Sequence, residues 1–362
     1  MKKVSNKNSK KTSNRIENDN TTNKKLISFI IPCFNSSKYM KKCIDSILEL
    51  GEDIEILIID DGSNKDNTLE IARSYEIIYP NICRAIHKKN GGHGDALNVG
   101  IKNATGLYTK VVDSDDWINV KEGKKLLSII KNNVENKKFI DLYITNYVYD
   151  KVDKGKKKVM SYKLFIPQNK IITWDNIRFF TPTSYMMMHA LTYRTEVLKK
   201  TNLALPKNTF YVDNLYAYKP LVHVHTLYYL NVNLYHYFIG RDDQSVNEKV
   251  MISRLSQQYR VTRMMLYDVN INKVKYEKLK QYMINYLSLM MTATSVYSII
   301  SYDDNWLKEE KKLWDEIKRK DKNLYKKLRY SFLGMGVTLP GATGKHIAIG
   351  GYKLSRIIYG FN

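Results

Sequence analysis

The stretch His87–Trp117, HKKNGGHGDALNVGIKNATGLYTKVVDSDDW, carries most of the information about the fold. It opens with a glycine-rich turn, continues as a helix-forming segment from about Asp95 to Asn103, turns again, and ends as a short apolar strand over Leu107–Val112. That strand runs into Asp113-Ser114-Asp115-Asp116. An apolar strand with carboxylates at its C-terminal end is where an open α/β sheet places its ligand crevice. Asp113 and Asp115, one residue apart, can share a hard divalent cation, and phosphate oxygens complete the shell of such a cation. The stretch therefore points to a site for a nucleotide diphosphate.

Upstream, Leu26–Phe34 (LISFIIPCF) and Ile54–Ile59 (IEILII) are short β-branched runs of the kind that form buried parallel strands. Ser36-Ser37 predicts the cap of a helix whose apolar face is Tyr39, Met40, Cys43, Ile44, Ile47 and Leu48. A second helix, about Asn67–Tyr75, leads to a weaker strand near Ile82–His87. The β-α-β-α-β-α-β series predicts a doubly wound, mostly parallel sheet with flanking helices. Three strands end in polar punctuation at one sheet edge: Pro32-Cys33-Phe34-Asn35, Asp60-Asp61-Gly62-Ser63 and Asp113-Ser114-Asp115-Asp116. Each alone reads as a turn with a helix cap. Together they converge on one crevice.

Downstream the pattern changes. A basic helix over Lys121–Asn133 precedes two aromatic-rich runs, Phe139–Tyr149 and Val159–Phe165, which predict an antiparallel hairpin about the lysine-rich turn Asp153–Lys158. Trp174–Tyr218 mixes helix and loop, and Val224–Tyr237 reads as strand. Ser245 to about Tyr330 reads as helical. Within it, Asn285–Tyr302 is interrupted by Ser, Thr and Tyr, which suits a buried helix better than a membrane span. The expected organisation is a basic arm (1–25), a nucleotide-binding half (26–120), a second half of the same domain (121–243), a helical region (244–330) and a basic amphipathic tail (331–362).

The 362 residues carry a formal net charge of +23, enough to imply an anionic partner or surface. Residues 1–25 hold eight Lys/Arg against two acids, and with almost no large apolar side chains they cannot offset their ordering entropy, so a disordered arm is expected. The arm lacks the apolar core of a signal peptide. Three cysteines without a CxxC pattern predict a reduced, cytoplasmic protein with no disulfide framework. His223, His225 and His236 have no cysteine partners and do not make a zinc site.

The ordered motifs SFIIPCFN, EILIIDDGSNKD, NGGHGDALNVGIKNATG and VDSDDW resemble the nucleotide-sugar half of family 2 glycosyltransferases. That resemblance implies the GT-A fold and a nonprocessive bacterial enzyme of cell-wall or exopolysaccharide synthesis; the Gln-x-x-Arg-Trp motif of processive members is missing. It implies inverting transfer from a UDP-sugar to a glycan or lipid-linked hydroxyl, with Mn²⁺ or Mg²⁺ as cofactor. By the same resemblance, Pro32, Phe34 and Asn35 line the nucleoside, with Ser63 and Ser114 beside them, and Asp60 or Asp61 binds the base. Asp113 and Asp115 hold the metal. Gly91, Gly92 and Gly94 let backbone approach the ligand. Where many members carry an arginine before the position of Asn98, this chain has Leu97, and His93 is the candidate replacement. Phe210-Tyr211-Val212-Asp213-Asn214 stands where the family places its base. Val212 replaces the usual glutamate there, which leaves Asp213 as candidate base. His189 is a candidate acceptor contact, and the loop Gly240–Ser245 offers Arg241 and Ser245 to the diphosphate.

Three other readings fit the sequence less well. A basic nucleic-acid-binding protein fits the charge, but no zinc finger, helix-turn-helix or RNP-like signature accompanies it, and no nucleic-acid partner is expected. A catalytically idle GT-A scaffold is disfavoured by the intact Asp113/Asp115 pair. A nucleotidyltransferase would need a glycine- and arginine-rich loop where this chain has IPCFNSSKYM. The acid-free tail Ser331–Asn362, with its Ile/Leu stripe, is expected to meet the anionic inner face of a membrane.

Overall fold

The computed structural model describes residues 25–152, 155–240, 248–338, 346 and 348–350. The basic arm up to Asn23 and Lys24, the loop positions Arg241 and Ser245, and most of the tail beyond Thr338 lie outside the described residues.

Four parallel strands form the first half of the sheet: β1 (Ile27–Cys33), β2 (Ile54–Asp60), β3 (Cys83–His87) and β4 (Tyr108–Val111). Every residue of β1 and β2 is buried, as expected for strands covered by helices on both faces. The covering helices are α1 (Met40–Leu48), α2 (Thr68–Ile78) and α3 (His93–Asn103). Met40, Cys43, Ile44 and Ile47 form the buried face of α1, which is the apolar period read from sequence. The expected cap differs. Ser36 and Ser37 give their N–H groups to Thr68 Oγ1 (2.7 Å) and Asp66 Oδ2 (2.9 Å), so they pin the chain to the loop after β2, and α1 begins only at Met40.

Gly100 of α3 sits where a Cβ would fall 2.3 Å from Ile30 Cγ2 on β1. Gly100→Ala should therefore lower unfolding free energy by about 1–3 kcal/mol through overpacking. A denaturant midpoint that does not move would contradict this contact.

Beyond β4 the sheet becomes mixed. Its further members are β5 (Trp117–Ile118), β6 (Leu142–Lys151), β7 (Lys156–Met160), β8 (Ile171–Ile172), β9 (Leu191–Arg194) and β10 (Leu227–Phe238), with α4 (Val120–Glu135) between β5 and β6. The strand order is β3-β2-β1-β4-β9-β6-β10-β5, with β7 on β6 and β8 on β10. β6 and β7 form the expected antiparallel hairpin, but β7 is Lys156–Met160, so the lysines expected in the turn are strand and Ser161–Phe165 is not. β9, inside a region that read as helix and loop, inserts antiparallel beside β4, pairing Tyr108 with Arg194 and Thr109 with Tyr193. Because β9 runs against β4, the turn before it, Met188–Ala190, arrives at the edge where β4 ends.

Short helices α5 (Thr195–Lys200) and α6 (Asp213–Tyr218) follow β9, and the C-terminal region comprises α7 (Glu248–Ser253), α8 (Leu255–Tyr267), α9 (Glu277–Ile300), α10 (Asp304–Lys320), α11 (Lys322–Arg329) and α12 (Phe332–Val337). Arg263 of α8 ties to Glu309 (2.8 Å) and Glu316 (3.2 Å) of α10. Among the described residues α9 is the one helix long and apolar enough to cross a membrane, and 67% of its most apolar window is buried. Its Tyr282 reaches back to the segment before β9: the Met186 N–H donates to Tyr282 Oη at 2.9 Å.

Candidate active site

The register of the parallel strands sets their C-terminal ends side by side. Cys33 pairs with Asp60, and Asp60 with His87. Val112 donates to the Ile30 carbonyl, which carries β4 to the same edge just before Asp113.

Asp60 is fully buried; it accepts the Ser63 N–H at 3.2 Å and meets His87 Nδ1 at 2.6 Å. Asp61 accepts the N–H groups of Gly91 (3.0 Å) and Gly92 (2.7 Å) and the Lys88 ammonium. One carboxylate thus shapes the glycine turn. Gly92 has φ +83°, and a Cβ there would lie 3.1 Å from Asn208 N, so turn and second half of the domain meet only because no side chain intervenes. Asn35, at φ +49°, donates its N–H to Ser63 Oγ (2.9 Å) and accepts from Asn64 and Lys65 N–H groups (3.1 Å each). Phe34 stands beside it, 48% exposed at the crevice mouth. Pro32 is buried within β1 opposite Ile59. Ser114 Oγ donates to Ser36 Oγ at 2.8 Å. Asn98 spends both ends of its amide on the backbone of Leu205 (2.9 and 3.0 Å), so it clamps α3 to the loop before α6.

The carboxylates after β4 divide by environment. Asp113 meets His93 Nε2 at 2.8 Å, and its other oxygen lies 3.6 Å from His189 Nε2. Burial raises the Asp113 pKa, but the two histidines outweigh it and hold the carboxyl well below the usual range. Burial opposes charging of His93, yet Asp113, then Asp213 and Asp115, lift its pKa above 6.5. Asp116 is different. It accepts the Tyr235 hydroxyl at 2.5 Å and the Phe238 N–H at 2.8 Å, and burial with Asp115 and Asp113 nearby pushes its pKa well up. It anchors the end of β10 to the site.

His189 is 2% exposed, packed among the rings of Tyr147, Tyr235 and Tyr237, and neither ring nitrogen has a hydrogen-bond partner. A buried imidazole left unpaired costs free energy unless something completes it. One ligand atom each of Asp113, Asp116 and His189 lies within 4.8 Å of the others. Asp116 already accepts two protein donors and has its pKa pushed well up, which leaves Asp113 and His189 as the better candidate donors of this group.

Asp213 is the first residue of α6, after the N-cap Val212, and the Asn214 N–H donates to its carboxylate. Its oxygen accepts from Asn214 Nδ2 (3.2 Å), whose amide oxygen in turn accepts the Tyr286 hydroxyl of α9 at 2.9 Å. Burial raises the Asp213 pKa, partly countered by His189 and His93 and reinforced by Asp113. Asp213, both histidines and Asp113 thus share one electrostatic neighbourhood.

Sequence reasoning missed Lys110. This lysine in the middle of β4 has no exposed surface, donates to the His189 carbonyl at 2.8 Å, and has its pKa lowered by burial to about 7. A single lysine amid LYTKVV gave no signal beyond a polar break in an apolar run.

Residues 28–194 match the family model described as glycosyl transferase family 2. The chain carries a family 2 glycosyltransferase domain. The glycosyltransferase GlyG of Streptococcus pneumoniae is 37% identical over 131 residues, 35% of this chain and 41% of that protein, so the chain spans less than half the length of that relative. Among solved structures, S. aureus TarS in complex with UDP-GlcNAc aligns with a TM-score of 0.50 at 20% identity, covering 81% of this chain and 91% of that one. The mannosyltransferase PcManGT of Pyrobaculum calidifontis, in complex with GDP-Man and Mn²⁺, aligns with a TM-score of 0.50 at 14% identity, covering 90% of this chain and 86% of that one. These likenesses establish the GT-A fold. The family match ends with the last residue of β9, so it includes the glycine turn, Asp113–Asp116 and His189.

Proposed function

We propose that the chain is a metal-dependent, inverting glycosyltransferase that moves a sugar from a UDP-sugar to a hydroxyl of a cell-wall, capsule or lipid-linked glycan. The observation that carries this reading is the meeting of Asp113, His93, His189 and Asp213 at the edge where β1, β2 and β3 also end. The orphaned, buried imidazole of His189 beside Asp113 fits a divalent cation. A mixed carboxylate and imidazole set suits Mn²⁺ better than Mg²⁺, which prefers oxygen and water. Asp113, Asp115 and His189 would hold the ion, which when bound stabilises negative charge on the departing diphosphate.

The chain's own groups supply the rest. Asp61 Oδ2 accepts one hydrogen bond, from Gly92, and keeps a lone pair for the N3–H of uracil. Phe34 offers an exposed ring to the nucleoside, and the Gly91-Gly92 turn admits the diphosphate close to backbone. Asp213, with its raised pKa, takes the proton of the attacking acceptor hydroxyl. The net charge of +23, with Phe332 and Met335 exposed on α12, supports a place at the cytoplasmic face of an anionic membrane.

The test is titration of UDP with and without Mn²⁺, alongside Asp115→Asn. Wild type should bind UDP more tightly with the ion, and the variant should lose about tenfold or more of that gain, as removal of a charged ligand does. Absence of UDP binding under both conditions would overturn the reading.

A further inference from the structure

β10 does not pair regularly with β6. Consecutive β6 residues Thr145, Asn146 and Tyr147 lie opposite Leu230, Asn233 and Tyr235, so β10 carries extra residues in two places. Bulges re-aim side chains and recur beside functional sites. Here they gather amides. Asn146, 2% exposed, donates from Nδ2 to Asn231 Oδ1 (2.8 Å) and Asn233 Oδ1 (3.1 Å), and its own oxygen accepts the Tyr229 hydroxyl at 2.7 Å. Asn231 and Asn233 are exposed, and with their oxygens turned to Asn146 their Nδ2 groups are left facing outward. Asn119 repeats the arrangement at the start of α4. Its Oδ1 accepts the Glu122 N–H at 3.2 Å as the helix cap, which leaves its Nδ2 outside that bond.

All these asparagines line one open cavity of about 690 Å³, together with Ser161, a size within the ordinary range of ligand sites. No aromatic ring is among its lining residues, and Val159 and Val232 supply its apolar surface, so a nucleobase finds nothing to stack on. Glu122 pairs with Lys125 at 2.9 Å, and Lys163 adds one cation. A bare oxyanion would fill a small part of this space and would meet the Glu122 carboxylate. Three oriented amides with N–H groups to give, and a hydroxyl that both donates and accepts, match a ligand with many oxygens spread over several ångströms. The hydroxyls and acetamido groups of a short glycan have that form, and the valines suit its C–H edges. Asp113, Asp115, His93, His189 and Asp213 do not line the cavity. It nevertheless adjoins their corner through the chain: Asn233 stands shortly before Tyr235, which donates to Asp116, and Asn119 shortly after Asp116.

We propose that this cavity is a binding site for a neutral oligosaccharide, apart from the candidate catalytic corner. Binding there requires neither the metal nor the nucleotide of the proposed function.

The experiment titrates chitotriose and cellotriose, the first N-acetylated and the second not, into the full chain in chelator, followed by saturation-transfer NMR and calorimetry. Wild type should bind at least one of them, and inorganic phosphate should not displace it. Asn231→Ala and Asn233→Ala should each weaken binding by about three- to tenfold, the range of one net hydrogen bond. Val159, 45% exposed, offers a second route should loss of an amide loosen β10: Val159→Trp fills the cavity and should abolish binding, with an unchanged thermal midpoint. UDP affinity in Mn²⁺ should be the same in all three variants. The proposal is overturned if neither trisaccharide binds wild type, if phosphate displaces the sugar, or if binding is indifferent to all three variants. It is equally overturned if Asp213→Asn abolishes binding, which would put the sugar in the catalytic crevice. Failure of UDP to bind wild type would count against the proposed function and leave this result standing.

Discussion

Asp213→Asn is expected to lower kcat by about 10²- to 10⁴-fold, the usual contribution of a positioned general base, with KM for the donor little changed. Asparagine fills the same space at the start of α6, and its amide oxygen can still accept from Asn214 Nδ2, which Tyr286 holds from α9. Only the ability to accept the acceptor proton is lost. Burial is the largest influence on Asp213 and raises its pKa above 3.8. A base works in its deprotonated form, so a raised pKa moves the acid limb of the kcat profile upward. Turnover should fall with decreasing pH at values where an ordinary aspartate is still ionised. The measurement is donor consumption in single turnover across pH, with thermal midpoints confirming that the variant is folded. A variant that retains turnover within tenfold of wild type, with the same acid limb, would remove Asp213 from the role.

The sheet and its crevice could be read from sequence because they depend on local pattern. LISFIIPCF and IEILII announce buried strands by their β-branched residues, and the polar tetrapeptides that follow mark strand ends whatever the rest of the chain does. The antiparallel hairpin of β6 and β7 and the buried helix α9 are local for the same reason. What escaped was long-range. His93 finds Asp113 across 20 residues, but His189 reaches it only because β9 inserts antiparallel to β4, a pairing for which a four-residue strand carries no period. Asn98 was placed with the ligand by its motif, yet its amide is consumed by Leu205, 107 positions away. The candidate cation corner shows the same limit. The spacing of Asp113 and Asp115 suggested a two-carboxylate site. The structure adds the unpaired His189 and shows Asp116 committed to Tyr235, neither of which spacing can reveal.

Lys110→Met is the second large expected effect, and it separates a positioning role from a merely structural one. Lys110 has no exposed surface, lies under the ring of Tyr235 at 5.6 Å, and donates to the His189 carbonyl at 2.8 Å and more weakly to Leu191 at 3.5 Å. Burial lowers its pKa from 10.5 to about 7, a displacement worth about 5 kcal/mol at roughly 1.4 kcal/mol per pH unit. Below pH 7 the folded protein must carry that amine charged, at full cost. As pH rises from about 7 to 10.5 the unfolded chain binds the extra proton, so wild-type stability climbs through this window. Methionine has no such term, so the stability difference between Lys110→Met and wild type should shift in favour of wild type by a few kcal/mol across the same window, measured by denaturant unfolding in chelator. Against this, methionine leaves the buried His189 carbonyl without a donor, which costs about 1–3 kcal/mol and frees the Met188–Ala190 turn. If that turn presents His189 to the reacting centre, kcat should fall by about 10²-fold even where the variant is as stable as wild type, because a displacement near 1 Å suffices for such a loss. Unchanged turnover with a changed pH–stability profile would make Lys110 a structural amine only. The two measurements therefore decide the matter independently: stability against pH reports the burial of Lys110, and kcat reports what its hydrogen bond to His189 holds in place.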